Sequence, residues 1–425
     1  MNNSCLKIEE VINKRLCTGC GTCYSACPNN CISIVENETE GIYQAKIDYS
    51  RCDNCGNCND VCPQIDIIER KKGDEDVFFG KNISCFYGYS MDKTLRYNAS
   101  SGGLITAISK FALNKCIVNG AIFVGPSANN PLRFEAKICK TEEEIISRNG
   151  SKYCPVSLNK ILKDILKENN EDTYIYIGLP CHLKGLSNFI SVFPELKKKI
   201  KYVFGIFCSH TPNFLGTDFI LKKWHIPVFK IKKIEYRGNG WPGAMTIFTS
   251  KKINIPSTSY WGKYFSNNFF TPTHCLLCDD LFAVDSDISF GDAWLDRFRN
   301  DNFGISIGII RTELGKEILE ECKKKGKIFY ENIDKKEVNN SQYDNVLFKN
   351  ILLEDRKNRL LKFPKTLKIP IGFKYYNKFT IANANLSGRK IFRNFMLFLS
   401  GYPEKIYFKI LGKIKSTLLK NKQFN

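Results

Sequence analysis

Eight cysteines near the amino terminus leave this chain little freedom in how its first domain folds. They fall in two runs, CTGCGTCYSACP with Cys17, Cys20, Cys23 and Cys27, and CDNCGNCNDVCP with Cys52, Cys55, Cys58 and Cys62. Each run reads C-x2-C-x2-C-x3-C-P, the spacing that seats a cubane 4Fe–4S cluster. Three thiolates two residues apart curl around one cluster, while the fourth, one residue further on, points away and reaches the other. The spacing therefore assigns Cys17, Cys20, Cys23 and Cys62 to one cluster and Cys52, Cys55, Cys58 and Cys27 to a second. Pro28 and Pro63 close the runs and turn the chain. Gly19, Gly21 and Gly56 let the backbone pass close to the inorganic core. Zinc is the alternative metal, and two quartets at this spacing argue against it. Cys5 and Cys31 lie outside the pattern and read as free thiols packed near the clusters.

The stretch from Arg15 to Ile67 resembles a bacterial dicluster ferredoxin, which implies an α+β ferredoxin-like head that carries electrons singly. The whole chain, at 425 residues, is too long for that module alone and suggests two or three domains. Its 43% hydrophobic and 25% charged content is that of a soluble globular protein. The start, MNNSCLKIEEVINKRL, lacks the apolar run of a secretory signal, and no stretch of about 18 apolar residues predicts a spanning helix. Most of the 19 cysteines fall in metal spacings, which points to a reducing, cytoplasmic setting. The net charge of +20 is uneven: residues 1–72 carry 8 basic and 10 acidic side chains, residues 371–425 carry 11 basic and 1 acidic. Each cysteine-ligated cubane adds about two negative charges, so the loaded protein is less basic than its sequence.

After the charged, glycine-ended stretch Lys71–Gly80, which reads as a linker, strand and helix patterns alternate. Strands are expected at Ser84–Ser90, Ala121–Val124, Thr173–Ile177, Tyr202–Phe207 and Ile305–Ile310, and helices at Leu104–Asn114, Pro155–Glu168, Leu183–Phe193, Phe214–Trp224 and Glu313–Lys325. Ile231–Tyr236 and Ala244–Thr249 read as paired strands around a glycine-rich turn. The pattern divides the chain into a dicluster head at residues 1–72, an α/β domain at 81–335 and a helical, basic carboxyl extension at 336–425.

The α/β part holds a second cysteine set: Cys181 in GLPCHLKGL, Cys208 in GIFCSHTP, and Cys275 and Cys278 in HCLLCDD. Cys181 and Cys208 each follow an expected strand, and loops at strand carboxyl ends are where open α/β sheets gather ligands. Four thiolates from three loops suit a third cubane or a tetrathiolate zinc. His182, His210 and His274 sit beside these cysteines as candidates to hydrogen-bond sulfur or relay protons, against the plainer reading of packed neighbours. Cys116, Cys139, Cys154 and Cys322 read as isolated buried thiols.

Seven phrases in order, SSGGLITAI, KYCPV, GLPCH, GIFCSHTP, YRGNGWPG, CLLCDD and SDISFGDAW, resemble the beta subunit family of coenzyme F-420 hydrogenases and dehydrogenases from about Cys85 to Tyr330. The resemblance implies FAD and a 4Fe–4S cluster, and favours the third cubane over zinc. It also gives a use to residues that are ambiguous alone. Ser100, Ser101, Gly102 and Gly103 precede a helix, where a diphosphate meets free backbone N–H groups; an ordinary serine cap is the alternative. Lys152 and Tyr153 offer a charge and a stacking face. Arg237 and Asn239, in a glycine-rich turn, and Asp292, after a strand, are candidate walls of a flavin or substrate pocket, against a hairpin loop and a helix cap. The organic substrate, coenzyme F-420 included, is not identified by any residue.

A flavin beside iron–sulfur clusters converts two-electron into one-electron chemistry. The expected function is an oxidoreductase passing electrons between ferredoxin-type clusters and an organic substrate at FAD. The rival is a non-catalytic electron-transfer subunit serving a partner enzyme. Expected partners are an electron-transfer protein or enzyme subunit and a small organic redox substrate; a basic tail with no accompanying motif does not predict nucleic acid. Ile391–Leu399 and Glu404–Lys420 read as helices, the second basic and amphipathic through Lys405, Lys409 and Lys413. Such a helix lies on an anionic membrane surface or packs on its own protein, and the second reading is favoured.

Overall fold

The backbone folds as a dicluster-type head docked on a mixed α/β body, in a computed structural model that describes residues 6–70, 75–361, 380–398 and 408–409. In the head, strands β1 (Ile32–Asn37) and β2 (Ile42–Ile47) pair antiparallel with Ile32 opposite Ile47. Each cysteine run contains a one-turn helix, Thr22–Ala26 and Asn57–Asp60, entered through a left-handed glycine, Gly21 at φ 91° and Gly56 at φ 84°. Only glycine takes that conformation freely, so the chain can double back tightly enough to present successive cysteines to one point.

The body is an eight-stranded sheet. Its strands are β3 (Ser84–Ser90), β4 (Gly120–Pro126), β5 (Phe134–Cys139), β6 (Tyr174–Gly178), β7 (Ile200–Ile206), β11 (Ile288–Asp292), β12 (Ser306–Ile310) and β13 (Ile328–Ile333), in the order β13-β3-β12-β11-β7-β6-β4-β5. The four central strands β11, β7, β6 and β4 run parallel, and antiparallel partners flank them. Tyr174 to Gly178 and Ser306 to Ile310 are buried throughout, as strands covered on both faces must be. Helices Leu104–Asn114 and Glu313–Lys324 pack against it, filling a core around Phe86, Ile108, Phe204, Ile288 and Leu319. A separate antiparallel sheet, β8 (Lys233–Glu235), β9 (Ala244–Phe248) and β10 (Lys252–Pro256), caps an aromatic core of Phe219, Tyr236, Tyr260, Phe265 and Phe270.

The described residues depart from the sequence reading in two places and extend it in a third. The expected linker carries helix Glu75–Phe79, with Phe78 and Phe79 buried against Phe282. The expected helix Pro155–Glu168 is a 3-10 turn, Leu158–Ile161, followed by α-helix Leu162–Lys167. Its first residues are held elsewhere: the Asn159 N–H donates to the Cys20 carbonyl, and the Val156 carbonyl meets the His182 ring. The third concerns the chain beyond Ile333, which forms helices Lys335–Ser341, Tyr343–Val346 and Leu353–Leu361, a π-helical turn Leu347–Ile351, and helices at 380–387 and Lys390–Phe398. These pack on the body: Phe348 and Ala384 join a core with Leu276, and Met396 enters the aromatic core. Of the expected basic helix Glu404–Lys420, only residues 408–409 lie within the described residues. Among the described residues no helix is long and apolar enough to cross a membrane.

Head and body share one core. Ile8, Cys23, Ala26, Ile32 and Val61 pack with Leu158, Ile161, Tyr176, Leu183 and Leu186.

Candidate functional site

The carboxyl ends of the parallel strands open on one cavity of about 930 Å³. β6 delivers Cys181 at the start of helix Pro180–Val192, β7 delivers Cys208, and β11 delivers Asp292. Helix Thr273–Leu277 brings Cys275, and Cys278 caps it. The four sequence-nominated cysteines Cys181, Cys208, Cys275 and Cys278 thus meet on one wall, as the strand-end argument requires. Burial raises the Cys181 thiol well above its ordinary range, and Cys208, Cys20, Cys275 and Cys278 add to the shift. Cys208 is pushed up to about 12 by burial, against the opposing charge of Lys349. Among the described residues no three His, Cys, Asp or Glu side chains close on a single-ion site. Four thiolates are a donor set that suits a 4Fe–4S cubane or a tetrathiolate zinc.

The head meets this wall directly. Cys23 is raised by burial and then by Cys17, Cys20 and Cys62, the quartet that the spacing assigns to one cluster, with Cys58 of the other quartet next. Cys58 in turn is pushed up to about 11 by burial and by Cys55 and Cys52. Cys27, the fourth member, stands 3.2 Å from Cys31, whose hydrogen bond draws its pKa down against burial. Cys31 is therefore packed beside the second quartet, whereas Cys5 lies outside the described residues. Cys55 is exposed and a Cβ on Gly56 would meet nothing within 4 Å, so that quartet faces outward.

A buried polar knot fixes the inner quartet to the body. Asn159, with no exposed surface, donates to Thr22 Oγ1 at 2.8 Å and to the His182 carbonyl at 3.0 Å, and accepts from the Tyr176 hydroxyl. Its own carbonyl accepts from Ser25 Oγ at 2.7 Å. Thr22 Oγ1 lies 3.1 Å from Cys20 Sγ. Gly185 makes this approach possible, since a Cβ there would lie 2.4 Å from Thr22 Oγ1. Tyr176 sits within range of both Cys20 and Cys181.

The three histidines are buried and neutral. Burial draws His182 down to about 4; its Nδ1 accepts from the Leu179 N–H at 3.4 Å, which leaves Nε2 to donate to the Val156 carbonyl at 3.2 Å. It is a brace rather than a relay. His210 and His274 fall to about 3 through burial and the nearby Lys349 charge. His274 Nδ1 is buried without a partner. His210 stacks on Trp261 at 5.9 Å with an unpartnered Nε2.

The nominated flavin residues divide. Ser100, Ser101, Gly103, Lys152, Tyr153, Arg237 and Asp292 line the cavity. Gly103 caps helix Leu104–Asn114 in the left-handed region, φ 75°, with no side-chain cap. The alternative serine cap is therefore absent, and the amino end of that helix is left to its backbone donors. The serines are used otherwise: Ser100 Oγ accepts from the Ser151 N–H, and Ser101 Oγ donates to the Ile305 carbonyl. Arg237 pairs with Asp292 at 2.6 Å and donates to the Tyr153 hydroxyl at 3.3 Å, yet its Nη2 is buried without a partner. Burial draws that guanidinium down, and Asp292 and Tyr153 more than restore it. Tyr153 stacks on Trp261 at 4.3 Å. Lys152 is bound inward, its ammonium donating to the carbonyls of Arg148, Asn149 and Gly150, while burial lowers its pKa to about 7.

Gly102 and Asn239 are corrected. Gly102 packs on the sheet, where a Cβ would lie 2.5 Å from the Gly88 carbonyl, and its N–H donates to Ser306 Oγ. Asn239, at φ 59°, braces its hairpin by donating to Thr246 Oγ1. Among the isolated cysteines, Cys139, Cys154 and Cys322 are buried as expected, but Cys116 is exposed at a turn. Sequence reasoning missed Lys349 and Asn159 altogether; both are polar residues with no motif around them, and only tertiary packing reveals them.

Comparison with known proteins agrees with this anatomy. Residues 85–163 match the sequence model for the amino-terminal part of the coenzyme F-420 hydrogenase/dehydrogenase beta subunit, and residues 171–336 that for its carboxyl-terminal part. Residues 16–65 match a 4Fe–4S dicluster domain. The chain is 24% identical over 344 residues to a coenzyme F-420-dependent sulfite reductase from Methanocaldococcus jannaschii, a match covering 77% of the chain and 49% of that protein. The chain thus spans about half the length of that relative. It is 24% identical over 258 residues to a coenzyme F-420 hydrogenase subunit beta from Methanosarcina barkeri, covering 57% of the chain and 80% of the relative. Its fold is similar to a chain of the F-420-reducing [NiFe] hydrogenase complex of Methanosarcina barkeri, with TM-score 0.52, 20% identity and coverage of 68% and 96%.

Proposed function

Because the chain belongs to the coenzyme F-420 hydrogenase/dehydrogenase beta subunit family and carries a 4Fe–4S dicluster domain ahead of it, we propose that it is an iron–sulfur flavoprotein oxidoreductase. Its electrons pass between the head and an organic substrate in the cavity. One observation carries the reading: the Asn159 amide donates both to Thr22 Oγ1, which lies 3.1 Å from Cys20 Sγ, and to the carbonyl of His182, the residue after Cys181, so the head's inner quartet abuts the cavity quartet and the donor sets form one series. The outward quartet around Cys55 is the port for an electron-transfer protein or partner subunit. The inner quartet is next, and the quartet of Cys181, Cys208, Cys275 and Cys278 is the terminus at the cavity.

Bound FAD would supply hydride exchange with a substrate and single-electron exchange with clusters. The chain's residues fit such a ligand. The uncapped start of helix Leu104–Asn114 offers backbone donors to a diphosphate. Arg237 has a free donor and a charge held in place by Asp292. Tyr153 and Trp261, their rings tilted 37° to one another, offer aromatic faces. A volume of about 930 Å³ is ample for a ligand of this class. Coenzyme F-420 is the substrate class that the names of the relatives suggest. Peripheral contact of the basic residues beyond Phe408 with an anionic membrane is the lesser reading, because Phe408 itself packs beside Tyr264 and Phe269.

The test is anaerobic titration of the full-length protein with FAD, followed by assays with reduced coenzyme F-420 and with reduced ferredoxin. Stoichiometric flavin binding and flavin-dependent electron transfer are expected. A chain that holds its iron but binds no flavin is instead an electron-transfer subunit.

A further inference from the structure

Lys349 lies on no motif, beyond the residues matched to the family, and is 1% exposed. It sits in the π-helical turn Leu347–Ile351, a widened turn of the kind that interrupts helices at functional sites. It lines the cavity together with Cys208, Cys275 and Cys278, and its charge reaches all three sulfurs. The turn is bolted to the cysteine loop. Arg356, fully buried, donates from Nε to the Leu276 carbonyl at 2.5 Å and from Nη2 to the Phe348 carbonyl at 2.6 Å. One guanidinium thus ties the residue between Cys275 and Cys278 to the residue before Lys349. Its plane also lies over the Phe348 ring, 4.1 Å from the centroid.

Two other cations near Cys278 are engaged elsewhere: Lys357, also buried, donates to the Arg70 carbonyl. Arg70, near Cys278, is already paired with Asp66 and Asp279. Asp279 and Asp280 add negative charge beside Cys278. A cluster held by four thiolates carries about two negative charges when oxidised and one more when reduced. Burying such a charge without a counter-charge is costly.

We propose that Lys349 is the counter-charge of the cavity cluster, held there by Arg356, and that it raises that cluster's reduction potential so the terminus of the series accepts electrons from the head. This rests on the third-cluster reading above. A fixed cation favours the more negative, reduced cluster, so removing it makes the cluster harder to reduce.

The experiment is an EPR-monitored redox titration of the full-length, anaerobically purified protein, with iron counted first, for wild type, Lys349→Met and Lys349→Arg. In Lys349→Met one cluster potential falls by at least tenfold in the reduction equilibrium, 59 mV for a one-electron couple, while the other two hold. Lys349→Arg, which keeps the charge, stays within threefold of wild type. Loss of the cavity cluster's iron from the Met variant alone also supports the role, since charge is then needed to hold it. Unmoved potentials with full iron in Lys349→Met overturn the proposal, as does Lys349→Arg behaving like Lys349→Met. A wild-type chain holding only the head's share of iron fails at the counting step; that outcome removes the third cluster itself and this inference with it.

Discussion

Removing the Asn159 side chain should loosen the head from the body more than any other single polar change. In Asn159→Ala the Tyr176 hydroxyl, Thr22 Oγ1 and the His182 carbonyl each lose a buried partner. A buried polar group left unsatisfied costs about 1–3 kcal/mol. Thr22 retains a contact with Cys20 Sγ, and relaxation recovers part of the rest, so a total of about 3 kcal/mol is expected. Unfolding of a cluster protein is not two-state, so the readout is a rate: the bleaching of visible absorbance after anaerobic dilution into guanidinium. If the knot breaks before the barrier to unfolding, about 3 kcal/mol quickens bleaching on the order of a hundredfold. Tyr176→Phe, which removes one donor, should quicken it on the order of tenfold. The double variant should lose less than the two effects summed, because both remove the same bond. Bleaching of Asn159→Ala within twofold of wild type would refute the reasoning, and with it the claim that this knot couples head to body.

Arg237→Met leaves Asp292 as an unpaired carboxylate in a buried pair and should speed the loss of visible absorbance in guanidinium more than about tenfold. The double variant Arg237→Met/Asp292→Leu should reverse much of this effect while still failing to retain FAD; retention of FAD by that variant would remove Arg237 from the flavin site. Deleting residues 409–425 removes five lysines while sparing Phe408 and Met396 in the aromatic core and Ser387, whose hydroxyl accepts from the Phe270 N–H. The truncated protein should keep its visible spectrum and lose binding to anionic vesicles at low salt. Failure of the full-length protein to bind them dismisses a membrane role.

What the sequence made legible was whatever repeats locally. The two cysteine runs, the strand–helix alternation and the helix over Leu104–Asn114 all announce themselves within a dozen residues. The cavity quartet was legible because cysteines that follow buried strands must emerge at one edge of a parallel sheet. Residues whose roles are made by distant partners were not. Asn159 matters because a head residue over a hundred positions away meets it, and Lys349 because a π-helical turn is pinned beside Cys278. Gly102 illustrates the converse error: a glycine before a helix suggested room for a phosphate, but the space is taken by the Gly88 carbonyl. Lys152 likewise spends its charge on three carbonyls of its own loop.

The account stands on three cage-binding cysteine quartets in series. Anaerobic purification followed by iron, acid-labile sulfide and zinc analysis tests this most directly. Wild type should hold about twelve irons and as many sulfides per chain, and Cys275→Ala about eight, with no zinc in either. One zinc per chain that disappears in Cys275→Ala while iron stays at about eight would contradict the terminal cluster, and a colourless, iron-free chain would contradict the whole series.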